Sequence, residues 1–259
     1  MPQRTPRTPA KGRLQCPSLP TLCVALTLAA AAAFTAMHTD CAARNMQTLD
    51  TLAMISYNLH GTAYADCLFN NLSSKLIWAP AVIALVFTMA RGSRNWRQAA
   101  LLILVSVAIV VACDQLSGLV KRTVERPRPS HNDALNYMLH YVNDYRGGRF
   151  GFVSSHAANC CGMAAWLMLV YRSRAVKAVL LVFATAVCYS RIYLGVHYPL
   201  DIVAGAMLGV LTGTAAWTLL ACTTGKYHCL IADRRGIVAW TAAGTMAAIA
   251  ALSAFGIFL

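Results

Sequence analysis

The chain has 259 residues and an apolar, basic composition: 58% of the residues are hydrophobic, 12% are charged, and there are 22 lysines and arginines against 9 acidic residues. An ordinary soluble enzyme is excluded, because soluble domains carry about 25% charged residues. A nucleic-acid-binding protein is excluded as well, since such a protein is basic but not this apolar. The composition predicts an all-α integral membrane protein.

Seven apolar runs follow one another along the chain, and a membrane-spanning helix needs about 20 such residues. We expect a six-helix core bundle followed by a seventh, C-terminal membrane helix. The first run follows several basic residues and predicts a retained helix; a cleaved signal peptide is the alternative and would leave six spans. The runs cover residues 19–37, 76–90, 98–120, 155–171, 175–190, 200–222 and 237–259.

The runs divide the chain into parts with different predicted locations. In residues 38–75, before the second run, apolar residues have partial helical spacing, which indicates that this outer loop lies on the membrane surface. Cys41 and Cys67 fall in that part and are a candidate disulfide in an oxidising compartment. The parts are a basic cytoplasmic N-terminus (1–17), a first membrane helix (18–37), an outer loop (38–75), a core with five membrane helices (76–222), and a cytoplasmic loop with the C-terminal helix (223–259).

The distribution of positive charge predicts the orientation. If the odd-numbered spans run outward, the inner segments hold 13 of the 22 lysines and arginines, and an excess of these residues in short loops marks the cytoplasmic side. Of the remaining nine, seven crowd into residues 121–149 and position 191 on the outer side. These seven residues depart from the charge distribution expected for an outer face, so they need a local explanation. The inner segments are 1–17, 91–97, 172–177 and 223–236.

Three polar stretches, 121–129, 153–156 and 190–201, lie at the outer ends of spans and therefore meet the same membrane face. The first and third supply cations that match phosphate oxygens, namely Lys121, Arg128 and Arg191. The second supplies the hydroxyls of Ser154 and Ser155 at the start of a predicted helix, whose backbone N–H groups favour an anion.

Two histidines complete the pattern. His197 and Asp201 are four residues apart, and Pro199 suits the first turn of a helix. On that turn, the carboxylate of Asp201 can hold one imidazole nitrogen and leave the other for nucleophilic attack. His156 is a second imidazole that can donate a proton. Together these residues predict metal-free phosphoryl transfer through a phosphohistidine.

The three stretches resemble the K-x6-R-P, P-S-G-H and S-R-x5-H-x3-D signatures of the type 2 phosphatidic acid phosphatase superfamily, which also includes the vanadium haloperoxidases. The first and third match in spacing and residue type. In the second, Val153 stands in place of Pro and Ser155 in place of Gly, while Ser154 and His156 match. The resemblance covers residues 121–201, about a third of the chain.

The resemblance implies a role for each matched residue. His197 is the expected nucleophile, Asp201 its orienting partner, and His156 the acid that protonates the leaving oxygen and then acts as the base for water. No metal or cofactor is expected, because the cations already neutralise the phosphate. The residues expected to bind phosphate are Lys121, Arg128, Ser154, Ser155 and Arg191.

The implied function is a lipid phosphate or diphosphate phosphatase of the bacterial inner membrane, with several spans and its active site facing the periplasm. Polyprenyl diphosphate, such as undecaprenyl diphosphate, is the preferred substrate, followed by lipid A phosphate, phosphatidylglycerol phosphate and phosphatidate. A lipid phosphotransferase and a non-catalytic lipid-anion transporter are the alternatives. The expected partners are the lipid substrate and membrane lipids but no nucleic acid, and the sequence leaves the oligomeric state open.

Two further patterns lie near the expected site. Glycines repeat every four residues at 205, 209 and 213, a spacing that lets two helices approach closely. We therefore expect this row to seat the helix that carries Asp201. Additional arginines either attract an anionic head group or are solvated loop charges: Arg122, Arg126, Arg146 and Arg149.

Overall fold

The computed structural model describes residues 40–58, 61–74, 76–224, 231 and 236–258. Within these ranges the chain forms eight α-helices and two short 3-10 turns, Leu76–Trp78 and Pro129–His131, with no β-strand. The helices are α1 (Asp40–Asn58), α2 (Ala63–Ser73), α3 (Ala79–Gly92), α4 (Trp96–Val124), α5 (Ser155–Val170), α6 (Arg174–Tyr193), α7 (Pro199–Thr224) and α8 (Ile237–Ala254).

Four of these helices, α4, α6, α7 and α8, are long and apolar enough to cross a membrane. Helix α2 and the segment Leu76–Gly92, which meet at a 70° bend, together pass the same test as one broken span. Helix α5 has 16 residues, or about 24 Å at 1.5 Å per residue, and is shorter than a full span. The all-α membrane fold is confirmed, whereas the number of spans stays a prediction, and the run 19–37 lies outside the described residues.

Side-chain caps explain where the helices of the core begin. Asn95 starts α4 by accepting the N–H of Gln98, and Ser173 starts α6 by accepting the N–H of Val176. Each cap satisfies an N–H group that has no partner within its own helix. At the first position of α7, Pro199 fills the place predicted for it, because proline has no N–H to leave unsatisfied.

Helix α5 packs against α4, α6 and α7, and its closest packing is with α7. The glycine row of α7 makes this approach possible. A Cβ atom at Gly209 would lie 2.2 Å from the carbonyl oxygen of Ala158, and one at Gly213 would lie 2.3 Å from that of Gly162. The prediction that these glycines seat the helix carrying Asp201 is confirmed.

The outer loop predicted at 38–75 contains helices α1 and α2, which are joined to the core by hydrogen bonds of polar side chains. Asn58 at the end of α1 donates to the carbonyl of Tyr193 at 2.7 Å and accepts the N–H of His140 at 2.7 Å. On α2, Asp66 accepts a hydrogen bond from the hydroxyl of Tyr193 at 2.6 Å. Cys67 is a buried free thiol, and the side chain of its predicted partner lies outside the described residues.

Candidate active site

The imidazole of His197 lies in the short connection between α6 and α7 and is only 1% exposed. Its Nε2 atom is 3.0 Å from Nη1 of Arg128, and its Nδ1 atom is 3.4 Å from Oδ2 of Asp201. Arginine can only donate, so Nε2 must accept and the imidazole proton must be on Nδ1. The structure therefore brings the predicted His197–Asp201 pair together in the tautomer that leaves a lone pair on Nε2.

Burial lowers the pKa of His197 well below 6.5, because the protonated ring would lose its hydration. The positive charges of Arg128, Arg191 and Lys121 lower this pKa further. His197 is consequently neutral at physiological pH. The three cations come from three different parts of the chain, the end of α4, the loop that follows it and the end of α6, and all three act on the same imidazole.

Backbone carbonyl groups hold the guanidinium of Arg128 in place. Its Nε donates to the carbonyl of Phe150 at 3.2 Å, and its Nη1 donates to that of Val196 at 3.0 Å. Burial lowers the pKa of Arg128, and the charge of Arg191 adds to this effect. Within the described ranges no carboxylate forms an ion pair with Arg128, so its charge is left to act on the site.

Arg191, near the end of α6, is 2% exposed. Its Nη2 lies 3.4 Å from the hydroxyl of Tyr145, while its Nε has no hydrogen-bond partner among the described residues. A buried donor without a partner is costly, and such a group calls for an explanation such as a bound anion.

Lys121 joins the end of α4 to the start of α5. Its ammonium group donates to the hydroxyl of Ser155, which lies 2.7 Å from the hydroxyl of Ser117. Ser117 is buried and is one helical turn before Lys121 on α4. Sequence reasoning missed Ser117; its position four residues before the lysine is the signal that could have identified it.

Ser154 and His156 lie on either side of Ser155, where α5 begins. The N–H of Ser154 donates to the backbone carbonyl of Asp201 at 3.0 Å, and its hydroxyl accepts the N–H of Ala157 at 3.4 Å. These contacts fix the start of α5 against the start of α7. The side chain of His156 is half-buried on the first turn of α5. Phosphate contacts by Ser154 and proton transfer by His156 stay predictions.

The contacts of Arg126 differ from those expected. It donates to Oδ1 of Asp201 at 2.8 Å and to Oδ2 of Asp50 at 2.6 Å. The interpretation of Arg126 as a head-group or solvated loop charge is therefore wrong, because two carboxylates pair with it. Sequence reasoning also missed Asp50, whose pKa is raised by burial against the opposing effect of Arg126. No local pattern connects residues 50, 126 and 201.

The chemistry of the site follows from this distribution of charge. A neutral imidazole with a lone pair on Nε2 lies among three cations, and its other nitrogen faces a carboxylate whose second oxygen is held by Arg126. This arrangement favours an anion with several oxygens beside a nucleophilic nitrogen. Among the described residues, no group of three or more His, Cys, Asp or Glu side chains is arranged to hold a metal ion.

Comparison with known proteins identifies similar chains. The profile of the PAP2 superfamily matches residues 99–223. A lipid A 4'-phosphatase of Bacteroides thetaiotaomicron is 32% identical over 171 residues, which cover 65% of this chain and 75% of the relative. An undecaprenyl-diphosphatase of Sulfolobus acidocaldarius is 26% identical over 62% of this chain and 72% of its own length.

A solved structure shares the fold. The PAP2-type phosphatidylglycerolphosphate phosphatase from Bacillus subtilis superposes with a TM-score of 0.55 at 21% sequence identity. The superposition covers 74% of this chain and 92% of that chain. This likeness supports the helical architecture.

Proposed function

Because the chain belongs to the PAP2 superfamily, we propose that it hydrolyses a lipid phosphate through a phosphohistidine formed at His197. Membership makes the chain a phosphoric ester hydrolase of the membrane, and the proposal adds the residue roles, the lipid and the leaflet. One observation carries it: the neutral, buried imidazole presents the lone pair of Nε2 to Arg128 at the centre of three cations.

In the first step, the phosphate of the lipid takes the place of the imidazole as the partner of Arg128. Nε2 of His197 attacks phosphorus, an N–P bond forms, and the P–O bond to the lipid breaks. His156 gives its proton to the leaving oxygen, so that a substrate with one phosphate departs as a neutral alcohol and a diphosphate departs as the lipid monophosphate. The cations offset the charge that accumulates on the phosphate oxygens.

Asp201 acts on the opposite side of the ring. Its Oδ2 faces Nδ1 at 3.4 Å, and the imidazole becomes positively charged when Nε2 bonds to phosphorus. A carboxylate at this distance stabilises the charge and keeps the proton on Nδ1. In the second step, His156 removes a proton from water, the water oxygen attacks phosphorus, the N–P bond breaks, and inorganic phosphate and neutral His197 are regenerated.

The other polar groups bind the phosphate oxygens in this proposal. Lys121 and Ser155 act together, since the hydroxyl already contacts the ammonium group. The Nε of Arg191, which has no hydrogen-bond partner in the described part of the chain, supplies a donor that a phosphate oxygen can satisfy. Ser154 contributes its hydroxyl proton, because its oxygen accepts the N–H of Ala157 and leaves that proton available.

We infer a phosphorylated glycolipid of the lipid A class as the first substrate candidate, since the lipid A 4'-phosphatase has the higher identity of the two relatives. Sequence reasoning preferred polyprenyl diphosphate, and the undecaprenyl-diphosphatase keeps that lipid as the second candidate. The outer leaflet is proposed from the distribution of lysine and arginine, 13 of 22 of which lie in segments assigned to the inner side.

The test is phosphate release by the purified protein in detergent from lipid A, undecaprenyl diphosphate, phosphatidylglycerol phosphate and phosphatidate. We expect His197→Ala to lower release by several orders of magnitude and His156→Gln to lower it by about 10²–10⁴-fold. His131→Ala is the matched control, because this histidine is exposed, and it should keep wild-type release. Unchanged release by His197→Ala would refute the proposal.

The same assay separates the alternatives. A strict phosphotransferase releases almost no phosphate without a lipid acceptor, and a transporter releases none while its lipid transfer survives His197→Ala. Vanadate should inhibit, since it adopts the five-coordinate geometry of the phosphorus during transfer. EDTA should have little effect; inactivation by EDTA that a divalent ion reverses would contradict the metal-free mechanism.

A further inference from the structure

Helix α1 reaches the candidate active site from outside the family match, which begins at residue 99. Its Asp50 is 7% exposed and lies 2.6 Å from Nη2 of Arg126. The same guanidinium donates through Nη1 to Asp201 at 2.8 Å. One arginine thus joins an acidic residue of the N-terminal region to the acidic residue that faces His197.

The carboxylate of Asp201 is fully buried, so protein groups alone set its orientation. Arg126 holds Oδ1, while Oδ2 accepts the N–H of Tyr198 at 3.1 Å and faces Nδ1 of His197 at 3.4 Å. The contact with the imidazole is the longest of the three. Without Arg126, the carboxylate would lose its charged partner on Oδ1, and its plane could turn away from the imidazole.

Asp50 contacts both Arg126 and the start of α7. Its Oδ1 accepts the N–H of Leu200 at 2.8 Å, in the first turn of α7, and its Oδ2 accepts from Arg126. The guanidinium also lies over the ring of Tyr198, 4.2 Å from its centroid. Asp50 therefore fixes both the arginine and the turn on which Asp201 lies.

We propose that Arg126, held by Asp50, is a positioning residue that keeps the carboxylate of Asp201 directed at Nδ1 of His197. The inference rests on the proposed function, in which this contact stabilises the charged imidazole. Arg126 does not bind phosphate in this scheme, because two carboxylates already compensate its charge. The N-terminal region thereby becomes part of the catalytic machinery through contacts within the protein.

The test measures kcat and KM for phosphate release by Arg126→Gln, Arg126→Lys and Asp50→Asn. A small misplacement of a reacting group costs up to about 10²-fold in rate, so we expect Arg126→Gln to lower kcat by about 10–100-fold with little change in KM. Arg126→Lys should recover part of the loss, since it keeps the charge. Asp50→Asn should lower kcat less than Arg126→Gln does.

The decisive comparison repeats Arg126→Gln in the Asp201→Asn background. If Arg126 acts through Asp201, adding Arg126→Gln to Asp201→Asn should lower kcat almost no further, because the effects of residues that act as a unit are not additive. The proposal would be overturned if the fold-decreases in kcat of the two single variants multiplied in the double variant. Wild-type kcat in Arg126→Gln would overturn it as well.

Asp144→Asn is the matched control, because it removes an aspartate from another aspartate–arginine pair, with Arg146 at 3.0 Å, in which the Asp144 side chain is 84% exposed. It should keep wild-type kcat. Thermal unfolding of every variant shows whether it folds, and the double variant Asp50→Asn with Arg126→Gln removes both charges together if a single substitution does not fold. Failure of this inference can be told apart from failure of the proposed function. If the proposed function is wrong, His197→Ala remains active; if only this inference is wrong, His197→Ala is inactive and Arg126→Gln keeps wild-type kcat.

Discussion

Arg126 and Arg128 are separated by a single proline, yet they have opposite surroundings. Arg126 lies between the carboxylates of Asp50 and Asp201, whereas Arg128 contacts two backbone carbonyls and the imidazole of His197. The charge of the first is compensated within the protein, and that of the second is not. An arginine at an active site therefore binds substrate or supports its neighbours according to which groups face it.

The largest difference between the two arginines should appear in Arg128→Gln. Removing one preorganised donor to a reacting centre lowers turnover by about 10²–10³-fold. We expect KM for the lipid phosphate to rise as well, because the proposed mechanism has Arg128 in contact with the bound substrate. Steady-state phosphate release measures both parameters. If Arg128→Gln lowered kcat without raising KM, as expected for Arg126→Gln, the two arginines would have the same role and the distinction between them would be wrong.

The pH dependence of kcat/KM sharpens the same contrast. In the proposed mechanism attack requires neutral His197, so the rate should rise as pH increases through the pKa of this residue, which burial and nearby cations hold well below 6.5. The acidic limb of the wild-type profile should lie below pH 6.5, and Arg128→Gln should move it to higher pH because a nearby positive charge is lost. Ionisation of the substrate phosphate affects both profiles equally, so their difference isolates the histidine. Identical limbs would contradict the assignment.

The comparison also depends on close packing between α5 and α7, which fixes the relative positions of Ser155 and Asp201. Gly209→Ala would bring a Cβ to 2.2 Å from the carbonyl oxygen of Ala158, and overpacking of this kind costs about 1–3 kcal/mol. We expect a lower unfolding temperature in detergent. Gly244→Ala on α8 is the control, because a Cβ added there would have no other described residue within 4 Å beyond its chain neighbours and the backbone of its own helix. Equal unfolding temperatures for the two variants would show that α7 can shift without cost.

The smallest effect is expected for Arg149→Gln. The side chain of Arg149 is exposed, and an exposed charge contributes little because water and salt screen it. We expect kcat and KM for lipids with one phosphate to stay close to wild type. A large rise in KM for lipid A or undecaprenyl diphosphate would instead favour the interpretation of this residue as a head-group contact.

Much of the site could be predicted from the sequence because its signals are local. The four-residue spacing brings His197, which lies in the connection just before α7 and not on the helix as expected, close to Asp201 on the first turn of α7. The positions of the apolar runs predicted that Lys121, Arg128 and Arg191 lie close together, and their charges do act on the same imidazole. The apolar runs likewise predicted α6 and α7 to within a few residues.

The role of Arg126 could not be predicted in the same way. Its partners are 76 residues before it and 75 residues after it, and no periodicity relates positions so far apart. The packing of α1 and α2 depends on similarly distant contacts, such as that of Asn58 with Tyr193. Sequence spacing reports neighbours on one helix, whereas these contacts exist only once the bundle has formed.

The junction between Ser154 and Asp201 has a consequence for how enzymes of this kind can diversify. The two residues are joined by a backbone hydrogen bond, and Gly205 lies against the carbonyl of Ser154. A main-chain hydrogen bond of this kind does not depend on the identity of the side chains at its two ends. Substitutions of exposed side chains can therefore accumulate in enzymes of this kind while the backbone link between Ser154 and Asp201 is kept.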